Sequence, residues 1–308
     1  MDSTRIAEKL AKLGAEQRKL VGRMLAGSKH KQGDRAPTFE EEALRIFHAP
    51  EHRTKAGTKK FYNTINQQLD RTIFGECSSF LNYGYVEDGA PQMSNVELPS
   101  QTLSRSSVKL VLELIGDCDL AGKRVLDVGC GRGGTLSVVN QFFRAESKVG
   151  LDLSSAAIAH CRKIHRFPDT SFQVGDAEQL PFPSGEFDVV LNLESSHSYL
   201  DMSAFYSGVK RVLAPGGYFL YADMFVVERF EEHRNRLLEL GFVIEQNRDI
   251  THNVLLSCRE TARLRSRAFA DAEEQSVIED FLSTPGSSVF QQMETGRAVY
   301  RILKIKRS

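Results

Sequence analysis

Between residues 124 and 222 the chain switches repeatedly between two rhythms of hydrophobic and polar positions. Short apolar runs of strand length occur at Arg124–Val128, Lys148–Leu153, Thr170–Val174, Phe187–Leu193 and Gly217–Ala222. Between them, residues 133–143, 154–165 and 202–213 carry apolar side chains at helical spacing. This alternation predicts βαβ units, hence a parallel sheet with helices on both faces. Two later strand signals, Phe242–Asp249 and Ala298–Lys304, flank a charged, mostly helical stretch at about 251–293. A helical insertion placed there is expected over the carboxyl edge of the sheet, where such folds bind ligands.

Ahead of this core the periodicity is helical but broken. Ile6, Leu10, Leu13, Leu20, Met24 and Leu25 predict an amphipathic helix over 3–26. The polar run from Gly27 to Pro37 reads as a linker. Helices are expected at 39–48, Phe61–Asp70 and Pro99–Ile115, the last with Leu103, Val108, Val111, Leu112 and Ile115 as its apolar stripe. The aromatic stretch Phe74–Tyr85, with its glycines, suits a loop that closes over a ligand. The expected organisation is an N-terminal helical and linker segment at 1–57, a helical lid region at 58–115, and an α/β core at 116–308 that contains the insertion.

Composition narrows the function classes. A chain of 308 residues that is 41% hydrophobic can bury a sizeable core, and its 40 basic and 40 acidic residues cancel. Bulk charge therefore gives no reason to expect a nucleic-acid partner. No apolar run approaches the ~20 residues of a membrane span, and the charged N-terminus lacks a signal-peptide core. A cytoplasmic location is expected. The five cysteines are scattered without CxxC spacing, which indicates neither zinc nor a disulfide framework.

The strongest chemical signal is Val125-Leu126-Asp127-Val128-Gly129-Cys130-Gly131-Arg132-Gly133. An apolar strand ends in an acid and runs into a glycine-rich turn, whose glycines allow close backbone approach to a ligand. Such turns also occur in dinucleotide enzymes. Here the spacing is GxGxG rather than GxGxxG, and Asp127 precedes the glycines, where its carboxylate can face a cationic ligand. The next strand ends at Asp152, suited to ribose hydroxyls. The third runs into Gly175-Asp176-Ala177, where the Asp176 carboxylate can accept from an adenine amino group and the Ala177 N–H can donate to a ring nitrogen.

The fourth strand leads into Asn192-Leu193-Glu194-Ser195-Ser196-His197-Ser198-Tyr199. If a helical turn follows it, Glu194 and His197 share one face. A hydroxyl is a poor nucleophile until a neighbour takes its proton, and histidine suits that task near neutral pH. A carboxylate beside it fixes the imidazole tautomer. His197 is therefore the candidate general base and Glu194 its orienting acid. No cluster of carboxylates marks a metal site. Tyr83 is expected to cap the ligand at the glycine turn, since an aromatic face stabilises a cation. Tyr85, with Tyr62 and Gln68 as further lid candidates, is expected near the acceptor, along with Tyr199 and His252.

VLDVGCGRG, GLDLS, GDAEQLPFPSGEFDVV and RVLAPGGYFLYAD, in that order over about 100–223, resemble the successive motifs of class I S-adenosylmethionine-dependent methyltransferases. The resemblance implies a Rossmann-like, seven-stranded α/β sheet with an N-terminal helical extension and a helical lid. It implies Asp127 and Gly129 near the methionine moiety, with Gly131, Asp152 at the ribose, and Asp176 with Ala177 at the adenine. Leu153 and Asn192 complete the expected cofactor set. FYNTINQQLDRTIFGECSSFLNYGY and NLESSHSYLD further resemble O-methyltransferases of polyketide and lipid biosynthesis, over about 58–305. That implies a small-molecule or acyl-carrier-protein-tethered acceptor, a place beside a polyketide synthase or nonribosomal peptide synthetase, and His197 with Glu194 as the active pair. The run Arg259, Arg263, Arg265, Arg267 is a candidate contact for such a carrier, or simply a solvated helix face. Methylation at carbon or nitrogen stays open from the sequence. So does a binding module that keeps the fold without catalysis; a nicotinamide dehydrogenase fits the glycine turn alone but not the later motifs.

Overall fold

The computed structural model describes residues 37–47, 49–71, 79–89, 92–268 and 275–308. The expected helix at 3–26, all of its linker but Pro37, and residues 74–78 of the Phe74–Tyr85 stretch lie outside the described residues. The chain falls into two compact units, the first ending at Phe61 and the second comprising Tyr62–Ser308. In the first, α1 (Phe39–Phe47) starts with three acids, Glu40, Glu41 and Glu42, which favour a helix N-terminus. Phe39 stacks on Phe61 with centroids 5.0 Å apart. Helix α2 (Lys55–Asp70) starts six residues before the apolar pattern at Phe61 suggests.

The second unit holds a seven-stranded sheet. Its strands are β1 (Arg124–Val128), β2 (Ser147–Asp152), β3 (Thr170–Val174), β4 (Phe187–Leu193), β5 (Leu213–Val226), β6 (Phe242–Asp249) and β7 (Ala298–Arg307), in spatial order β3-β2-β1-β4-β5-β7-β6. β1 to β5 pair in parallel, and β7 runs antiparallel to both β5 and β6. The sheet is thus mixed at one edge rather than parallel throughout. The chain leaves β6 through the helical insertion and re-enters between β5 and β6 from the opposite direction. Strand order reverses between β1 and β4, the switch point at which doubly wound sheets bind ligands.

The covering helices in this unit are α3 (Arg105–Ile115), α4 (Gly134–Phe142), α5 (Ser155–Ile164), α6 (Met202–Val212), α7 (Val227–Glu239), α8 (Thr251–Ala268), α9 (Gln275–Leu282) and α10 (Ser288–Glu294). α3 begins at Arg105, not Pro99. Ser104 sits at φ 49, in the left-handed region, and Pro99–Thr102 closes as a turn. Leu103 is consequently 83% exposed and leaves the predicted stripe. α7 has no counterpart in the sequence reading, because only Phe230 and Leu237 of its thirteen residues are buried. One apolar layer joins Leu126 and Val128 of β1 to Val190, Phe205, Val209, Phe219 and Tyr221. By strand alternation Val125 and Asp127 face the opposite side. Among the described residues no helix is long and apolar enough to cross a membrane.

Phe219 anchors this layer: it is fully buried, stacked on Tyr221 at 5.0 Å and edge-on to Phe205 at 5.9 Å. Truncation leaves a cavity that rigid neighbours cannot fill. Phe219→Ala is expected to lower the unfolding free energy by about 3–5 kcal/mol in denaturant titration.

Candidate active site

The carboxyl ends of β1, β2, β4 and β5 converge on one cleft edge, and each carries an acid. Asp127, in β1, is 1% exposed, and its Oδ2 has no hydrogen-bond partner among the described residues. Burial, with Asp152 adding to it, pushes its carboxyl up to about 8. A buried oxygen of this kind is costly unless a donor arrives, which fits a cationic ligand at this point. Beside it, the turn is held by Gly129 N–H and Cys130 N–H donating to Leu151 O at 2.7 and 3.1 Å. Asp152 accepts from Gly131 N at 2.8 Å and Ser154 N at 2.8 Å. Two carboxylate oxygens offer about four lone-pair sites, so acceptor capacity remains for hydroxyls.

Glycine is required twice here. Gly129 has φ +73, and a Cβ on it would lie 2.2 Å from Ser195 Oγ and 2.9 Å from the Tyr199 hydroxyl. Gly131 has φ +51, yet a Cβ there would meet nothing nearer than Leu81 at 3.9 Å. The first is packed against protein; the second borders open space of the kind a ligand backbone or ribose needs. Asp176 caps the turn Ala177–Gln179 by accepting from Glu178 N, and Ala177 beside it is buried. Leu153 is half-buried just past β2.

Asn192 lies beneath the turn rather than in the cleft. It is fully buried, and its Nδ2 contacts Val128 O at 2.8 Å, Ser195 Oγ at 2.8 Å and the Tyr199 hydroxyl at 3.0 Å. The same contacts displace Tyr199 from the acceptor wall assigned to it by sequence. Its hydroxyl faces Gly129, Ser195 and Asn192, so the ring buttresses the glycine turn.

The expected pair of Glu194 and His197 does not form as drawn from sequence. Glu194 has φ +48 and precedes the helical turn, which spans only Ser196–Ser198, so the i,i+3 geometry does not apply. Its carboxylate accepts from Tyr83 N at 2.9 Å through both oxygens and from the Tyr300 hydroxyl at 2.7 Å. The acid on the imidazole is Asp223 of β5: its Oδ1 lies 2.8 Å from His197 Nδ1, and its Oδ2 accepts from His197 N at 3.1 Å and Ser196 Oγ at 2.6 Å. Asp223 is fully buried; burial opposes its ionisation, but His197 and the hydrogen bonds prevail and hold its carboxyl below the usual range. Since a carboxylate only accepts, Nδ1 carries the hydrogen and Nε2 the lone pair. Nε2 faces the Tyr62 hydroxyl at 3.5 Å.

The lid segments close on this edge in order. Ser79 and Phe80 press on Gly134, where a Cβ would meet Phe80 at 2.5 Å and Ser79 O at 2.6 Å. Leu81 borders Gly131, and Tyr83 N reaches Glu194. Tyr83 O accepts from Ser257 of α8 at 2.7 Å. Its phenol is pushed up by burial and then by the field of Glu194, with Tyr62 and Asp223 further contributors. Tyr85 departs from its expected place. A regular extended chain would put it on the same side as Tyr83, but Gly84 at φ +79 breaks the alternation. Its hydroxyl goes instead to Arg248, beside Glu113. His252 is also displaced: it is exposed on the first turn of α8, where Asn253 and Val254 point inward. Arg259 pairs with Glu294 at 2.8 Å, and Arg263 is exposed.

Four residues outside the sequence reading complete the site: Asp223, Tyr300, Asn63 and Arg132. Asn63 Oδ1 accepts from Ser154 Oγ at 2.8 Å and Ala156 N at 3.2 Å. Arg132 is buried and donates to Asp70 at 2.8 Å. Asp223 could have been found, because it follows directly on the strand signal Gly217–Ala222, much as Asp127 and Asp152 lie at the ends of theirs.

A sheet of this order, with acids at successive strand ends around a glycine turn, defines the class I methyltransferase fold. The chain belongs to the S-adenosylmethionine-dependent methyltransferases. A methyltransferase domain model matches residues 126–221. The phthiotriol/phenolphthiotriol dimycocerosates methyltransferase of Mycobacterium tuberculosis is 35% identical over 256 residues, 80% of this chain and 94% of that protein. The fatty-acid O-methyltransferase of Mycolicibacterium smegmatis is 49% identical over 144 residues, 47% of this chain, and the match spans about half (52%) of that relative's length. Among solved structures, the [4+2]-cyclase SpnF aligns with a TM-score of 0.63 at 20% identity, covering 82% of this chain and 96% of its own. StiE O-MT residues 942–1257 align at 0.58 and 19%, covering 79% and 90%. These two show the fold.

Because a side chain at residue 129 collides with Ser195 and forces a strained φ, Gly129→Ala is expected to weaken S-adenosylmethionine binding at least about tenfold in titration calorimetry.

Proposed function

We propose that the chain is an O-methyltransferase acting on a hydroxyl of a lipid- or polyketide-type acyl intermediate in the cytoplasm, free or tethered to a carrier protein, with His197 as general base held by Asp223. The observation that carries this reading is the 2.8 Å contact of His197 Nδ1 with buried Asp223, which leaves Nε2 as the basic nitrogen. S-adenosylmethionine is the methyl donor; when bound it supplies an electrophilic methyl group on a positively charged sulfur. Asp127 would hold its ammonium group, Asp152 its ribose hydroxyls, and Asp176 with Ala177 its adenine. Gly129 and Gly131 let the turn approach it.

In this reading His197 Nε2 would take the acceptor hydroxyl's proton and leave its oxygen the better nucleophile. Asp223 keeps the ring in the required tautomer and stabilises the imidazolium that results. The Tyr62 hydroxyl, 3.5 Å from Nε2, supports this reading, since an acceptor hydroxyl in a similar position would meet the basic nitrogen. Holding donor and acceptor at attack distance supplies much of the rate. A relative named for fatty-acid O-methylation raises a carboxyl oxygen as an alternative acceptor. Asp223 on His197, with Glu194 in the same wall, argues against it, since a third carboxylate beside these acids is repelled. A carboxylate would also need no base. The Arg259 run gives a carrier contact weaker support than expected, because Arg259 is already paired with Glu294.

His197→Ala is expected to reduce methyl transfer to β-hydroxyacyl test substrates by roughly 10²–10⁴-fold, with S-adenosylmethionine affinity unchanged. Asp223→Asn should also lose about 10²-fold or more, because an amide no longer selects the tautomer. Wild-type turnover in His197→Ala, or methylation of a β-ketoacyl carbon in preference to the hydroxyl, rejects the assignment.

The proton on Asp127 gives a second test. A folded value of about 8 against an ordinary 3.8 means that ligand-free protein holds this proton at pH 7. Ionising Asp127 therefore costs stability from about pH 4 upward, fully by about pH 8. A cationic ligand favours the ionised form, so binding should release about one proton at pH 7. Affinity should rise with pH up to about 8 and then level off. Calorimetry in buffers of different ionisation enthalpy reads the proton count, and Asp127→Asn should abolish it.

A further inference from the structure

The contacts of Asp223 do not end at His197. Its Oδ2 accepts from Ser196 Oγ at 2.6 Å, and Ser196 Oγ lies 2.5 Å from the Tyr221 hydroxyl. Tyr221 receives a bond from the Tyr206 hydroxyl at 3.4 Å, and Tyr206 lies 3.0 Å from Nδ1 of His233. Ser196, Tyr221 and Tyr206 are buried, whereas His233 is half-buried on surface helix α7. Rings pack the chain laterally: Tyr206 meets Tyr221 at 6.1 Å, and Phe225 meets His233 at 5.5 Å. We propose that Ser196, Tyr221, Tyr206 and His233 form a line of positioning residues that ties the His197–Asp223 pair to the protein surface and sets how strongly Asp223 supports a charge on His197.

The direction of the hydrogens follows from elementary rules. A carboxylate accepts only, so Ser196 donates to Asp223 and must accept from Tyr221. Tyr221 in turn can accept from Tyr206. When His233 Nδ1 carries a hydrogen it donates to Tyr206, and every hydroxyl then points toward Asp223. When Nδ1 is bare, the Tyr206 hydrogen turns outward and Tyr221 loses its donor. Donors aimed at Asp223 share its negative charge and weaken its hold on an imidazolium; such chains polarise cooperatively. The charged groups facing His233 are Arg229 and Glu232 of its own helix and Asp223 from β5. Burial and Arg229 lower its affinity for a proton, against Asp223 and Glu232. His197 faces Asp223 and Tyr62.

This inference rests on reading His197 with Asp223 as the base pair, but its test needs no acceptor. The full chain, labelled with ¹⁵N-histidine and saturated with S-adenosylhomocysteine, is titrated by NMR, with His197 assigned by its loss in His197→Asn. Tyr221→Phe should raise the His197 midpoint by about 0.5 pH units. Tyr206→Phe and His233→Gln should raise it by progressively less. The double variant Tyr206→Phe/His233→Gln should shift no further than Tyr206→Phe alone, because both act along one line. Unchanged midpoints in Tyr206→Phe and His233→Gln, or shifts that add in full, overturn the proposal. If Tyr206→Phe fails to fold, His233→Gln decides alone, since His233 is only half-buried. Should His197→Ala retain methyl transfer while these midpoints still move, the base assignment falls and the line of positioning residues stands.

Discussion

Removing an ionised carboxylate from water costs several kcal/mol unless other donors replace the lost solvent, and this fold brings four carboxyl groups to one edge. Each is answered differently. Asp152 takes two backbone N–H groups, from Gly131 and Ser154. Glu194 takes the Tyr83 N–H and the Tyr300 hydroxyl. Asp223 takes an imidazole, a serine and two backbone N–H groups. Asp127 Oδ2 takes none among the described residues, and Asp127 keeps its proton instead. The edge is therefore arranged to receive positive charge at one point while its other acids are already engaged. A sulfonium nucleoside bearing an ammonium group has the charge and hydroxyls to match that arrangement.

The same need for donors explains the lid. Ser79–Tyr83 is held by what the acids and glycines of the edge require. Tyr83 lends its N–H to Glu194, and Gly134 leaves room for Phe80. Within the second unit, residues 62, 63, 66 and 70 of α2 reach His197, Ser154 and Arg132 in turn. Their spacing places them along one helix face. One face of one helix thus spans the cleft from the candidate base to the glycine turn. Glu194 holds the left-handed φ that normally favours glycine. Strain of that kind persists where surroundings over-determine a residue, and the Glu194 N–H to Ala222 O together with the carboxylate's bonds from Tyr83 N and the Tyr300 hydroxyl do so here.

Much of this was legible before any coordinates. β1, β3, β4 and β6 have the boundaries that the hydrophobic pattern predicts: β1 and β4 are buried along nearly their whole length and leave an almost uninterrupted apolar signature, whereas β3 and β6, at the sheet's two edges, show a mixed and an alternating pattern. The left-handed backbone at Gly129 and Gly131 is likewise what the glycine spacing suggests. What escaped was set by single torsions and by contacts distant in sequence. Gly84 at φ +79 sends Tyr85 to Arg248, and Glu194 at φ +48 turns away from His197. Asp223 pairs with a residue 26 positions earlier, which no local period reveals. α7 escaped for a different reason: two buried side chains in thirteen residues leave too narrow an apolar stripe to register.

The fold by itself does not choose the reaction, as a [4+2]-cyclase on the same scaffold makes plain. Choice of chemistry must come from what stands beyond the donor pocket, and here that is the ground between β4 and β5. The register sets Leu193 opposite Ala222, so Glu194, just past the end of β4, and Asp223, still within β5, stand at the same level. One is capped by a tyrosine and a lid N–H, the other by an imidazole. Had Glu194 turned toward His197, both acids would compete for one ring and neither would anchor Tyr83. Splitting the two acids gives the lid its own tether and reserves Asp223 for the imidazole. Holding Tyr83 and holding the His197 imidazole are then separate tasks of neighbouring strands, built from residues that lie side by side.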